Sequence, residues 1–503
     1  MSSFRQYAAI ASGLALLLTG CRVGPKYEQP PAMAQAPPAA YKEAPTPSTN
    51  AGDWKVAQPQ DAMLHGKWWE IYNDPELNGL EDKLNIDNQN IKVYFANFME
   101  ARTLIAQARA QLFPTLTAAP SFNRSLSSGS LTNASTANTG KESSVTTMGL
   151  DASWAPDLWG KVRNQISEEQ YNAQVSEADL ENEKLTEQAT LAITFFEIRG
   201  QDALRAVLDQ TIADDQKSLD YTRAQYETGV GTEISVVEAE NTLENAQAAA
   251  TNLGVARAEY EHAIAMLIGT DPSSFSIAVK ALNAAPPAVP IGVPSQLLER
   301  RPDIAASERV MAAANAQIGV ATAAFYPALT LSATGGFESS TIGNLFNWPS
   351  RFWSVGASVA QPLFDAGLRR ATVNQYIEVY NADVASYRQT VLGAFQQVED
   401  YLSTVRILSQ QIQQQQQAAE SAQRFVELET ARYQTGIDPY IDLVTAQETL
   451  LTDEETLTTL HTQVMTASVE LIEALGGGWD NTQLPTPAQV TVKMTPAETT
   501  KEK

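Results

Sequence analysis

Residues 353–359 read Trp353-Ser-Val-Gly-Ala-Ser-Val359, and residues 329–337 read Leu329-Thr-Leu-Ser-Ala-Thr-Gly-Gly-Phe337. Apolar side chains fall on alternate positions: Leu329, Leu331, Ala333 and Phe337, then Trp353, Val355, Ala357 and Val359. Small polar residues fill the gaps. A period of two over about ten residues predicts a β-strand with one apolar face. The pattern occurs twice more upstream. Leu116, Ala118, Phe122 and Leu126 form one series, and Met148, Leu150, Ala152 and Trp154 another, with a Ser/Thr/Asn/Gly loop between them. Two hairpins are expected, 114–154 and 327–363, hence four strands.

These strands suit a bilayer. Their length matches a tilted membrane strand, and their polar faces carry small residues. Trp154, Trp159, Phe346, Trp348, Phe352 and Trp353 cluster at strand ends like an interfacial girdle. A soluble β-sandwich is the competing reading. Four strands cannot close a barrel, and open edges are not tolerated in lipid. Closure therefore needs further copies of the chain. Two copies give eight strands, a barrel filled by its own side chains, so a pore favours three or more.

The chain is an internal duplication. Arg223-Ala-Gln-Tyr-Glu-Thr-Gly229-Val returns as Ala431-Arg-Tyr-Gln-Thr-Gly436-Ile, with Tyr226 matching Tyr433 and Gly229 matching Gly436. Gly160 matches Gly367 at the same offset, and Leu112-Phe-Pro114 resembles Phe325-Tyr-Pro327. After each hairpin comes a long stretch free of proline, 161–228 and 368–435. In the second, Tyr380, Val384, Tyr387, Val391, Ala394, Val398, Tyr401, Val405, Leu408 and Ile412 alternate spacings of four and three, a coiled-coil repeat. Such a helix extends roughly 100 Å. Shorter helices are expected at 76–111 and 232–268, and at 294–324 and 438–475. Each pair would stack beside a long helix, with the Pro-rich break at 284–294 as a collar halfway along. The expected repeats are 61–283 and 284–480. Gly229 and Gly436 mark the helix-tip turns.

The N-terminus reads as an address. An apolar run, Tyr7 to Leu18, ends in Leu18-Thr19-Gly20-Cys21, which resembles a bacterial lipobox. Residues 1–20 are then a signal peptide, and Cys21, the only cysteine, is the site of a covalent lipid. Residues 21–60 read as a lipidated tether, with an extended Pro/Ala-rich stretch at 30–50. Residues 481–503 read as a flexible tail. Acidic residues outnumber basic ones 58 to 34, for a net charge of −24, which argues against nucleic acid as a partner. His65, His262 and His461 lie far apart, and no phosphate loop, nucleophile elbow or metal motif is present. No enzyme, metal site or cofactor beyond the lipid is expected.

The chain resembles the outer membrane factor (TolC-like) family, and especially its OprM/NodT-like lipoprotein branch. The carrying residues are Cys21-Arg-Val-Gly-Pro-Lys-Tyr27, Trp68-Trp69 with Asp74-Pro75-Glu76-Leu77, Arg300-Arg301-Pro302-Asp303-Ile304, Gln361-Pro-Leu-Phe364-Asp-Ala-Gly367, and Tyr433 to Leu450. Arg22 after the cysteine, where inner-membrane lipoproteins tend to carry Asp, implies the outer membrane. The resemblance implies an α+β membrane protein, a homotrimer whose twelve-stranded β-barrel continues into an α-helical coiled-coil barrel across the periplasm. It implies a periplasmic adaptor and an inner-membrane resistance-nodulation-division transporter as partners, and small-molecule efflux as the function. Type I protein secretion and a non-conducting trimeric structural lipoprotein are the alternatives.

The same resemblance implies a gate at the periplasmic tip. Ile441 and Asp442 match its apolar and carboxylate rings, with Asp438, Thr445 and Ser235 nearby. A basic latch position falls on Glu448 or on Asp438. On the residues alone, Asp438 reads as the cap of a helix starting at Pro439, and Asp442 as either a ring carboxylate or a solvated first-turn residue.

Overall fold

The structure, a computed structural model, describes residues 21–33, 37–38, 40–43, 66–126, 128, 142–282, 285–289 and 294–491. The signal peptide, His65, most of the 127–141 loop and residues 492–503 lie outside the described residues, as does part of the 284–294 break.

Trp68 and Trp69 sit in a short 3-10 turn, both buried. Helix α1 (Pro75–Asp87) starts where Asp74 accepts the Glu76 and Leu77 amides, with Pro75 in the first turn. The expected helix 76–111 is two. Asn88 breaks it and caps α2 (Gln89–Ala110) through the Ile91 amide, while its own amide group reaches Glu187 and the Leu267 carbonyl. Strands β1 (Thr115–Leu126) and β2 (Glu142–Trp154) follow. Helix α3 (Lys161–Glu227) has 67 residues, and α4 (Glu233–Leu267) returns from its end.

In the second repeat the expected helix 294–324 is also divided. Helix α5 (Leu297–Arg300) stops at Arg301, which Pro302 holds extended, and α6 (Pro302–Ala323) begins afresh. Then come β3 (Ala328–Ser339), β4 (Arg351–Ala360), the 67-residue α7 (Leu368–Gln434) and α8 (Tyr440–Ala474). Both long helices start the same way. Asp157 accepts the Val162 and Arg163 amides and pairs with Arg163, and Asp365 does likewise with Gly367 and Arg369.

The four strands form one antiparallel sheet in the order β1-β2-β3-β4. The junction is β2 to β3, where Ala152 faces Ala333 and Trp154 faces Leu331. Leu116 faces Ala152, Ala333 faces Val355 and Leu329 faces Val359. Directly paired residues share a face. The apolar series of all four strands therefore line up on one side. The other side carries Thr117, Asp151, Thr334 and Ser354 in one row, with Thr334 donating to Asp151 at 2.8 Å. The apolar face is bare: Leu116, Leu150, Trp353, Val355 and Val359 are exposed.

Helices α6 and α8 fill the groove between α3 and α7, while α2 and α4 lie on the other side of α3. Each short pair stacks end to end along about 100 Å of long helix. Halfway along, Trp68, Phe195, Phe196, Ile198 and Ile264 form the main core, and the buried Arg199 donates to Glu76 and the Ala278 carbonyl there. The heptad residues Tyr387, Val391, Ala394 and Val398 are buried against Ile304, Met311 and Leu471, as the spacing demands.

Two terminal readings need correction. The residues read as an extended lipidated tether, 21–60, lie against the helical body where they are described. Gly24 lies against Gly319, the Tyr27 hydroxyl bonds Glu308 at 2.5 Å, Tyr41 is buried, and the Lys42 and Glu43 amides donate to Glu399. The start of the supposed tail is docked too. Short helix α9 (Pro487–Val490) buries Val490 beside Ile105 and Ala173, and Gln174 donates to the Pro485 carbonyl. In both places backbone groups find partners on the helical body, which an irregular segment needs in order to lie down.

Candidate functional site

The two helix tips are built alike. At the first, the Gly229 amide bonds the Tyr226 carbonyl and the Val230 amide reaches back to Gln225, both at 2.9 Å. At the second, Gly436 bonds Tyr433 and Ile437 reaches Arg432, both at 3.0 Å. This double bond closes a helix only when the turning residue is left-handed; φ is 79° at Gly229 and 70° at Gly436, which glycine adopts freely. The returning helices start differently. Thr232 caps α4 through the Ser235 amide, and its hydroxyl also meets the Ser235 hydroxyl at 2.9 Å. Helix α8 has no side-chain cap.

Asp438 therefore does not cap α8. It pairs with Arg432 through both carboxylate oxygens, one at 2.8 Å from Nη2. The Schellman turn between them folds the chain back and brings the two together. Arg432 holds the Asp438 carboxyl below the usual range. Glu429 lies in the same cluster; partial burial, then the Asp438 carboxylate, pushes its carboxyl up. Across the first tip Arg223 pairs with Glu240 at 2.5 Å. The sequence reading missed Arg432, Glu429 and this second pair. The signal available was a basic residue and an acidic residue flanking each glycine turn.

Ile441, Asp442, Thr445 and Glu448 are all exposed, over the first turns of α8. Leu443, Val444 and Ala446 are buried on its other side. A tyrosine clasp fastens the two tips. Tyr433 sits edge-on to Tyr221, with ring centres 5.8 Å apart, and tilts against Tyr440 at 5.3 Å. Its hydroxyl donates to Gln225, and that of Tyr221 to the Gln434 carbonyl.

Cys21 is exposed at the far end of the body, where the sheet meets α3. Its carbonyl accepts from Arg163 at 3.2 Å, and the Val23 amide donates to Trp159. Trp159 stacks on Tyr326 and donates to the Pro327 carbonyl at the head of β3. The cysteine thus lies level with the sheet's aromatic end. Among the described residues, no group of three or more His, Cys, Asp or Glu gathers as a metal site, and no helix is long and apolar enough to cross a membrane.

The model of the outer membrane efflux protein family matches residues 81–270 and 293–477. The solvent efflux pump outer membrane protein SrpC of Pseudomonas putida is 30% identical over 474 residues, 93% of this chain and 97% of that one. The solved outer-membrane channel OprN has a TM-score of 0.81 at 27% identity, covering 91% of this chain and all of the other. The open state of the Neisseria gonorrhoeae MtrE outer membrane channel has a TM-score of 0.77 at 25% identity, covering 91% and 98%. No enzymatic family is indicated. The chain belongs to the outer membrane efflux protein family, and it is the outer-membrane channel component of an efflux pump.

Proposed function

We propose that three copies close a twelve-stranded barrel continuous with a helical tunnel, and that this conduit carries small molecules from an adaptor and an inner-membrane resistance-nodulation-division transporter to the exterior. The carrying observation is that the protomer is open on both flanks, in the sheet and along the helices. Among the described residues, strands β1 and β4 each have a partner on one side only. Helix α2 leaves Val93 and Phe95 exposed, and α7 leaves Leu392 and Leu428 exposed. A surface that is apolar at two different edges suits a head-to-tail ring. Three is the smallest number that leaves the strands room around a lumen.

Cys21 would carry the acyl chains, because its exposed position at the aromatic end of the sheet lets a lipid enter the leaflet without lifting the body. The gate would lie at Ile441 and Asp442, with Thr445 and Ser235 beside them. Asp438 would act inside its own protomer as the partner of Arg432. The substrate class rests on the relatives' names, SrpC's being a solvent efflux pump protein.

Light scattering of the purified protein in mild detergent, followed by planar-bilayer recording, tests this reading. A trimeric mass with discrete channel currents is expected. A monomer without conductance would overturn it. Cys21→Ser should abolish palmitate labelling while leaving the trimer intact.

A further inference from the structure

Above the tip, α3, α7 and α8 line a half-open cavity of about 280 Å³. Its chemistry is lopsided. Asp215 on α3 lines it, is only 2% exposed, and has a buried Oδ2 with no hydrogen-bond partner. Gln447 on α8 also lines it, and its buried Oε1 has no partner either, although its amide nitrogen donates to Ser218 at 3.3 Å. The one cation on the wall, Lys217, is engaged by Asp214 at 2.7 Å. The rest of the wall mixes polar side chains, among them Thr211, Gln423 and Thr430, with an apolar part. Val426, Leu450 and the rings of Tyr221 and Tyr433 supply the apolar part, and both tyrosine hydroxyls are already bonded elsewhere.

A buried carboxylate without a donor is costly, and so is an orphaned amide oxygen. Two such acceptors sharing one space with aromatic walls define what would relieve them. The occupant must bring two or more N–H groups and a positive charge, on a body that is apolar. A cation also gains from the aromatic rings. At just under 300 Å³ the space suits a small ligand.

We propose that this cavity is a binding site for small amphiphilic amines, with the protonated amine held by Asp215 and Gln447 and its apolar body held against the tyrosine rings. The site is not the gate face. Gln447 and Leu443 turn toward the cavity, whereas Ile441, Asp442 and Glu448 are exposed on the same helix. It extends the channel reading by a site that does not depend on it.

The geometry sets a pH dependence. Burial, and then the neighbouring Asp214, pushes the Asp215 carboxyl up to about 6. The other charged or titratable groups around it are Asp214, Lys217 and Tyr221 on α3, Tyr433 on α7 and Tyr440 on α8. Glu238 on α4 acts on Tyr440, and Glu454 on α8 faces Asp214. An amine needs the ionised carboxylate. Binding therefore weakens as the pH falls below about 6, and a bound amine in turn lowers the value at which Asp215 titrates.

Saturation-transfer NMR on the full-length protein in detergent tests this, with phenethylamine as the probe, phenethyl alcohol as its neutral counterpart and empty micelles as the blank. At about pH 7.5 the amine should bind at least about tenfold more tightly than the alcohol, the order expected of one close charge pair. That preference should vanish in Asp215→Asn, and in the unaltered protein at about pH 5. Equal binding of amine and alcohol would overturn the proposal, as would amine binding indifferent to both the substitution and the pH. If Asp215→Asn fails to assemble, the pH and alcohol comparisons on the unaltered protein still decide the matter.

Discussion

Gly319 has no side chain because two neighbours, Asn164 and Gly24, meet at its Cα. A Cβ there would stand 2.4 Å from Asn164 Nδ2, and a Cβ on Gly24 would stand 2.5 Å from the Gly319 Cα. Asn164 in turn accepts from Arg22 and donates to the Val23 carbonyl. One small residue on α6 thus seats the segment that joins Cys21 to the body. Gly319→Val should cost about 1–3 kcal/mol by overpacking, or else release the segment. Lys26 lies within it and is exposed. Limited trypsin digestion should cut after Lys26 much faster in the variant. An unchanged rate would mean that the segment is not held by this contact. The motif Cys21 to Tyr27 was legible in the sequence, but its docking was not. The partners Asn164, Glu308 and Asn315 are more than a hundred residues away, and nothing local announces them.

Helix α7 shows what an element discloses by itself. Its heptad spacing is a local property, and the buried seam Tyr387-Val391-Ala394-Val398 follows from it. The Gln-rich run beyond belongs to the polar face, and Gln416 is exposed. The helix must remain continuous through that run for α8 to pack along it. Gln416→Pro should cost about 3 kcal/mol or more, because it removes one backbone bond and clashes with the preceding turn, while Gln416→Ala should be near neutral. Thermal dissociation of the assembly in detergent would show it; equal midpoints for the two variants would mean that the helix is already broken there. The strands were equally legible, since period two is also local. That β2 pairs with β3 was not. Strand order is set by where the helices return each hairpin, and the two strands lie far apart in the chain. The break at Asn88 escaped for another reason. Nothing but a single asparagine marks it, and its role depends on Glu187 and Leu267.

At the scale of the whole molecule the duplication is imperfect where it matters most. The two tips share their glycine turns, yet the position of Asp442 in the second repeat is occupied by Ser235 in the first, while Ile234 answers Ile441. A ring of three protomers would thus present six similar apolar side chains but only three carboxylates at that level. Three like charges around a narrow axis attract cations and repel one another, so such a ring would favour cation passage and resist complete closure. Asp442→Ser would make the two tips alike. Its expected effect is a loss of cation preference, read as a shift of the reversal potential toward zero in a salt gradient, with the mass of the assembly unchanged. Ser235→Asp should move the potential the other way by doubling the carboxylates. The opposed shifts matter, because a mere loosening of the tip would move both variants in one direction. Should both leave the reversal potential where it was, the exposed first turn of α8 does not face the lumen, and the constriction must be sought on another face of the tips.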